Sequence, residues 1–294
     1  MRNKKLFIFS TIAVILLTII IVLYNRLSLP KVITVGPSWD AKHENMVFVS
    51  QVNNWSQLFI YNETYSNPKQ LTKSNSAKHF PNWSPDGSKI IFCELLDFNW
   101  TITIYDLKNN TSKPIIKTHT PVPVAAEWLS NNDIMYSTLK NGDREIVKLD
   151  LTTNIEKNIT NTKGDDISPT YLKQSNRVIF SSNRNGFHEI FIMDIDGRNQ
   201  KQLTKNKSYS SHPITNKNES RIYFLSKEDT HSLICSIQLD GLDYKIHKKF
   251  EERVFSIENY EKGNKRELFL VTNKSNQLNI YKLDLKSNTS HLFF

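Results

Sequence analysis

Only two cysteines occur among the 294 residues, Cys93 and Cys235. They are too few for a zinc site built on cysteine. The chain also lacks the short motifs that mark common catalytic classes. It has no G-x-S-x-G elbow, no H-E-x-x-H helix, no G-x-G-x-x-G turn and no phosphate-binding P-loop. Glycine and alanine are sparse while lysine and asparagine abound, a bias of genome composition rather than of chemistry. Beyond residue 24 no long apolar stripe of period 3.6 is present, which excludes a helical solenoid. Acidic residues are missing from positions 1–31, which hold Arg2, Lys4, Lys5, Arg26 and Lys31. They account for much of the net charge of +9; the remainder carries 33 basic against 29 acidic residues. So mild an excess, without an arginine-rich stripe, does not point to nucleic acid.

What is present is a repeat of 44 residues, six times over. One aromatic slot runs Phe48, Phe92, Tyr136, Phe180, Phe224 and, one residue late, Phe269. A second runs Tyr61, Tyr105, Leu149, Met193, Ile237, Tyr281, and a third Pro37, Pro81, Ala125, Pro169, Pro213, Ile257. A period near 44 lies within the roughly 40–45 residues of a propeller blade. Six such repeats fill Lys31–Phe294, so no separate catalytic domain is expected.

Each repeat reads as four short strands. In the second, Phe80–Ser84 leads to a turn at Pro85-Asp86-Gly87, followed by the apolar strand Lys89–Leu95. A turn at Asp97–Asn99 precedes Thr101–Asp106, where Ile102 and Ile104 alternate with Thr101 and Thr103. Asn, Asp and Gly tolerate the positive φ of tight hairpin turns. Proline has no N–H, so it suits the unpaired edge of an innermost strand. The expectation is an all-β, six-bladed propeller of four-stranded antiparallel blades, with first strands near Trp39, Trp83, Trp128, Tyr171, Ile214 and Asn259. The recurring aromatics should pack between blades. Both terminal repeats hold four strands, so closure needs no strand exchange, although Val32–Val35 could pair with the last blade. Cys93 and Cys235 fall across the ring from one another, beyond the roughly 7 Å that a disulfide spans, and read as buried free thiols.

The segment Pro81-Asn82-Trp83-Ser84-Pro85-Asp86-Gly87-Ser88-Lys89-Ile90-Ile91-Phe92 resembles the signature of TolB-type, WD-like propeller repeats. So does Ile179–Gly186, continuing through Glu189–Asp194 to Gln202-Leu203-Thr204. Trp39-Asp40 and Trp128-Leu129-Ser130 keep fragments of it, and the last two repeats keep mainly the spacing. The resemblance covers roughly Lys31 to the C-terminus, and six blades is the TolB number. It is specific for fold: related blades serve in periplasmic adaptors, prolyl oligopeptidase-type enzymes, polysaccharide lyases and extracellular sensors.

The N-terminus carries a second signal. Leu6–Tyr24 is uncharged over 19 residues, about 28 Å as a helix against a hydrocarbon core of ~30 Å. Residues 25–30 offer a poor signal-peptidase site and no lipid-accepting cysteine. The reading is therefore a cytoplasmic stub at 1–5, a single-pass signal anchor at 6–24, a linker at 25–30 and an extracytoplasmic propeller at 31–294, oriented by the positive-inside rule.

No cofactor and no metal ligand set is expected. Asp194-Ile195-Asp196-Gly197 lacks the further oxygens of a calcium loop and reads as a hairpin turn. Asp165-Asp166 enters an inner strand and could face the channel, as a cation site or as a solvated loop. His79 and His212 lie beside inner-strand prolines, as channel-mouth bases or as hydrogen-bonded structural histidines. The foremost functional expectation is a membrane-anchored, non-enzymatic interaction or scaffold module of the cell envelope. The alternative is a polysaccharide-binding or -cleaving propeller using His79, Asp166, Arg184 and His212. A sensory role fits least, because Met1–Lys5 is too short for an output domain. The partner is an envelope protein or glycan, with the membrane engaged through the N-terminal helix. Loops between repeats, with those joining second to third strands, should share one face. That face gathers Lys73, Lys78, Lys117, Lys163, Lys205, Lys207, Lys248, Lys249 and Arg253, opposed by Asp165, Asp166, Glu251 and Glu252. It also presents Trp55, Phe98, Trp100 and Phe187. A six-residue linker reaches about 20 Å, which would hold this face toward an anionic headgroup layer, unless the lysines are ordinary solubilising surface.

Overall fold

A computed structural model describes residues 36–293 apart from 63, 65–66, 263–264 and 274–277. The expected stub, anchor, linker and Val32–Val35 lie outside the described residues. Among the described residues no helix is long and apolar enough to cross a membrane. The described residues form twenty-four strands in six four-stranded sheets, each made of four consecutive strands and antiparallel in every pairing. The innermost strands are Ser38–Asp40, Lys78–Trp83, Ala126–Trp128, Asp166–Leu172, Ser211–Thr215 and Val254–Lys262. Each contains the residue expected to mark it.

Burial on both sides explains the unbroken apolar runs of the middle strands. In blade two, Ile90 and Phe92 face blade one, packed with Val47, Val49 and Leu58. Ile91 and Cys93 face blade three, packed with Tyr136 and Val147. Because successive side chains alternate sides, a strand wedged between two neighbours has no polar face to show. The molecule accordingly has six cores, one in each gap between adjacent blades. Phe92, Tyr136, Phe180 and Phe224 each look back at the preceding blade and are fully buried.

Phe269 corrects the aromatic slot. The residue 44 after Phe224 is Leu268, which packs toward blade five. Phe269, one position on, points the other way, into the gap with blade one beside Trp39, Tyr260 and Phe293. A one-residue step in a strand moves a side chain to the opposite face.

Polar side chains set the ends of the strands. Thr72 Oγ1 donates to Gln57 Oε1 at 2.9 Å while accepting from Leu58 N–H at 3.0 Å. Forty-four residues apart, Thr160 and Thr204 repeat the arrangement with Glu145 and Glu189, accepting from Ile146 N–H and Ile190 N–H. The Pro85-Asp86-Gly87 turn is held by Asp86, whose carboxylate accepts from Ser84 Oγ, Ser88 N–H and Ser88 Oγ. Desolvation works against its charge, but these bonds prevail and lower its pKa to about 2. Gly87 has φ +74°, a conformation that favours glycine, and a Cβ there would lie 2.5 Å from the His43 ring of blade one, which would have to shift. Asp194–Gly197 is a hairpin turn, with Gly197 N–H on Asp194 O at 2.9 Å. Cys93 and Cys235 are buried free thiols, pushed up to about 12 and about 11 by burial.

Candidate functional site: a proline-lined channel and the loop face around it

The third slot lines the axis. Pro37, Pro81, Ala125, Pro169, Pro213 and Ile257, one per blade, border a central cavity of about 100 Å³. In the four proline blades the preceding residue adopts positive φ: Gly36 at 90°, Phe80 at 51°, Ser168 at 53° and His212 at 51°. Pairing with the second strand slips there in blades two, four and five. Proline suits such a bulge because it has no N–H to leave unpaired. Blades three and six carry Ala125 and Ile257 instead, and neither Val124 nor Ser256 takes positive φ.

Those two blades bring carboxyl groups into the channel. Glu127 accepts from Asn82 Nδ2 at 2.9 Å, and Ser38 Oγ donates to Asn82 Oδ1 at 3.1 Å. A polar chain thus passes through blades one, two and three. Burial raises the Glu127 pKa to about 7, opposed by hydrogen bonds from Tyr171 N–H and Asn82. Burial, reinforced by the Glu127 charge across the ring, raises Glu258 to about 8, with Asn259 N–H opposing. Both carboxyl groups border the same cavity, and burial acts on each against the charged form. Sequence reasoning passed over both. The available signal was that the two repeats lacking proline in the third slot carry glutamate one or two positions later.

The residues expected at the channel mouth do not assemble into one site. His212 lines the cavity, with Nδ1 3.0 Å from Ser211 Oγ and its pKa lowered to about 4 by burial. His79 is also lowered to about 4 by burial and stacks edge-on against Trp100 at 5.2 Å. Asp166, fully buried, is bridged by Arg184 at 2.8 and 3.0 Å. The Arg184 guanidinium also binds Ser182 and Gln200 and lies 4.7 Å from the Phe191 ring centroid. Asp165 turns to Arg144, which holds its carboxyl below the usual range despite desolvation. Among the described residues no cluster of three or more His, Cys, Asp or Glu is placed to hold a metal ion.

Strand order puts the inter-blade loops and the hairpins joining second to third strands on one face, here called the entry face. Its charge is more mixed than the sequence count. Lys78 is buried against Glu94 at 3.0 Å, and Lys249 pairs with Glu228 at 2.6 Å. Lys248 Nζ donates to Asn288 O at 3.0 Å, and Glu251 pairs with His231. Lys205 and Lys207 are exposed. Trp55 and Phe187 are exposed beside their hairpins, whereas Trp100 is half-buried against His79.

A ring of six four-stranded blades around a proline-lined axis defines the class of six-bladed β-propellers. Residues 95–293 match the sequence profile of the TolB beta propeller domain, and the chain belongs to that family. No curated protein sequence matches it. Among solved structures it is similar to a putative TolB from Agrobacterium tumefaciens, at 15% identity and TM-score 0.65, covering 73% of this chain and 80% of that one. It is similar to TolB from Acinetobacter baumannii at 20% identity and TM-score 0.64, covering 81% of this chain and 63% of that longer chain. The oligogalacturonate lyase from Vibrio parahaemolyticus matches at 12% identity and TM-score 0.62, covering 90% of this chain and 78% of its own. At these identities the likeness is one of fold.

Proposed function

We propose that the chain is a membrane-anchored, extracytoplasmic propeller that binds an envelope protein and catalyses nothing itself. Anchoring is supported by the 19 uncharged residues behind Arg2, Lys4 and Lys5. The observation that carries the binding role is the engagement of the candidate catalytic groups in the fold. Asp166 and Arg184 neutralise each other, and His79 and His212 are kept neutral by burial. Crosslinking in intact membranes, followed by purification of the full chain, is expected to recover one stoichiometric protein partner. Recovery of none, together with turnover of an envelope polysaccharide by the purified chain, overturns the proposal.

A second reading, a polysaccharide-active channel, is favoured by one observation, the pair Glu127 and Glu258 with raised pKa values near neutrality. Such groups suit proton transfer. That reading requires activity that disappears in both Glu127→Gln and Glu258→Gln.

A further inference from the structure

Blades one to four each place a large apolar side chain at or beside the entry-face hairpin that joins the second and third strands. These are Trp55, Phe98, Leu139 and Phe187, exposed by 37%, 99%, 39% and 51%. Equivalent hairpins of a ring stand at comparable height, so the four tips form an arc over two thirds of the rim. Blade five has Glu228, Asp229 and His231 at the same hairpin instead.

Phe98 is the sharpest of the four. Asp97 and Phe98 both take positive φ, 46° and 62°, the signature of a type I′ turn. That turn favours glycine at the second position, and blade three has it, with Asn141 and Gly142 at 53° and 100°. An aromatic ring that pays a backbone cost and then rests on nothing contributes nothing to folding. Strain of this kind concentrates where a residue serves function.

Charge follows the same arc. Between blades one and five the inter-blade loops carry Lys73, Lys163, Lys205 and Lys207, with Lys117 at the end of blade two's fourth strand, all exposed and none in an ion pair among the described residues. The acids beside them are Asp97 and Asp143, since Asp165 is taken by Arg144. At the blade-five hairpin, by contrast, Lys249 is paired with Glu228 and His231 meets Glu251. Apolar tips flanked by free lysines match the two layers of an anionic bilayer surface, acyl boundary beneath phosphate. The chain enters blade one from this face, at one end of the arc. Only eleven residues, 25–35, separate Gly36 from the end of the apolar run.

We propose that the entry-face arc of blades one to four docks on the surface of an anionic lipid bilayer, with Phe98 and its neighbouring tips inserted at the acyl boundary and the lysines at the phosphates. This rests on the anchored reading above and leaves the opposite face of the ring for the protein partner.

The test uses the full chain in vesicles of phosphatidylcholine with or without phosphatidylglycerol. An environment-sensitive fluorophore is attached through Phe187→Cys, or through Leu242→Cys on the opposite face; the native thiols are buried. The expected result is a blue shift and quenching by spin-labelled lipid at position 187 only. It should be strong with phosphatidylglycerol, and weakened by high salt or by Lys163→Glu with Lys205→Glu and Lys207→Glu. Phe98→Gly should weaken quenching at 187 while the melting temperature holds or rises, because glycine relieves the turn. Equal quenching at 187 and 242, or quenching indifferent to lipid charge, overturns the proposal. A protein that floats with vesicles while its 187 label stays aqueous keeps the anchor and loses the docking. One that floats with neither kind of vesicle loses both. A 187 label that stays aqueous on vesicles but becomes protected in native envelopes assigns the arc to a protein.

Discussion

Phe92 and Phe180 are each fully buried against the preceding blade. Truncation to alanine removes a ring from a gap whose walls are whole sheets and cannot collapse to fill it. Phe92→Ala and Phe180→Ala should each cost about 3–5 kcal/mol, read by denaturant melts. Glu258 makes a different demand. Its folded pKa of about 8 lies above the ordinary 4.5, so the native state holds the proton better than the unfolded chain does. The stability this adds is complete below about pH 4.5 and fades as pH rises to about 8. Relative to the wild type, Glu258→Gln should therefore gain melting temperature steadily across that window and change little outside it. A flat difference between the two proteins from pH 5 to 8 would show that the carboxyl group is not desolvated in the channel.

At the scale of elements, the threonine clamps tie the segment just past the fourth strand to the third strand in blades one, three and four. Thr160→Val keeps the shape but leaves Ile146 N–H and a Glu145 oxygen without their partner, a loss of about 1–3 kcal/mol by thermal melting. The number of blades, the strand order and the inner-strand positions were legible in the sequence because spacing survives when residue identity does not. Phe269 shows where that legibility stops. An aromatic one position out of step keeps the composition of the slot, yet the pleat sends it to the other gap, and only Leu268 holds the register. The candidate site was less legible. Asp166 and Arg184 looked like channel chemistry because sequence carries no pairing information, and each proved to be the other's counter-ion. Glu127 and Glu258 were hidden because their meaning depends on a ring that brings blades three and six to one axis.

Across the whole molecule, every core is shared by two blades, so no blade has an interior of its own. Loss of one sheet opens two gaps, which couples the six units. Far-UV circular dichroism and tryptophan fluorescence should follow a single coincident transition in urea. Trp39, Trp83 and Trp128 sit in gaps of three different blades, so stepwise melting would separate the two signals.

Among the described residues, the gap between blades six and one is closed by ring contacts and a backbone-to-side-chain hydrogen bond. Gly36 N–H donates to Ser256 Oγ at 3.0 Å, Trp39 meets Tyr260 at 4.8 Å, and Phe293 meets Tyr61 at 5.7 Å. Among the described residues each flanking sheet keeps its own four strands, and the gap holds an apolar core as the other five do. Both Gly36 and Phe293 stand on the side from which chains pass between blades. Which gap the chain opens at is thus a matter of gene order rather than of architecture. A circularly permuted gene, with residues 36 and 293 joined and new ends opened between blades three and four, encodes the same ring opened at a different compass point. The point at which such a ring opens can migrate around the rim during evolution without a single core residue changing.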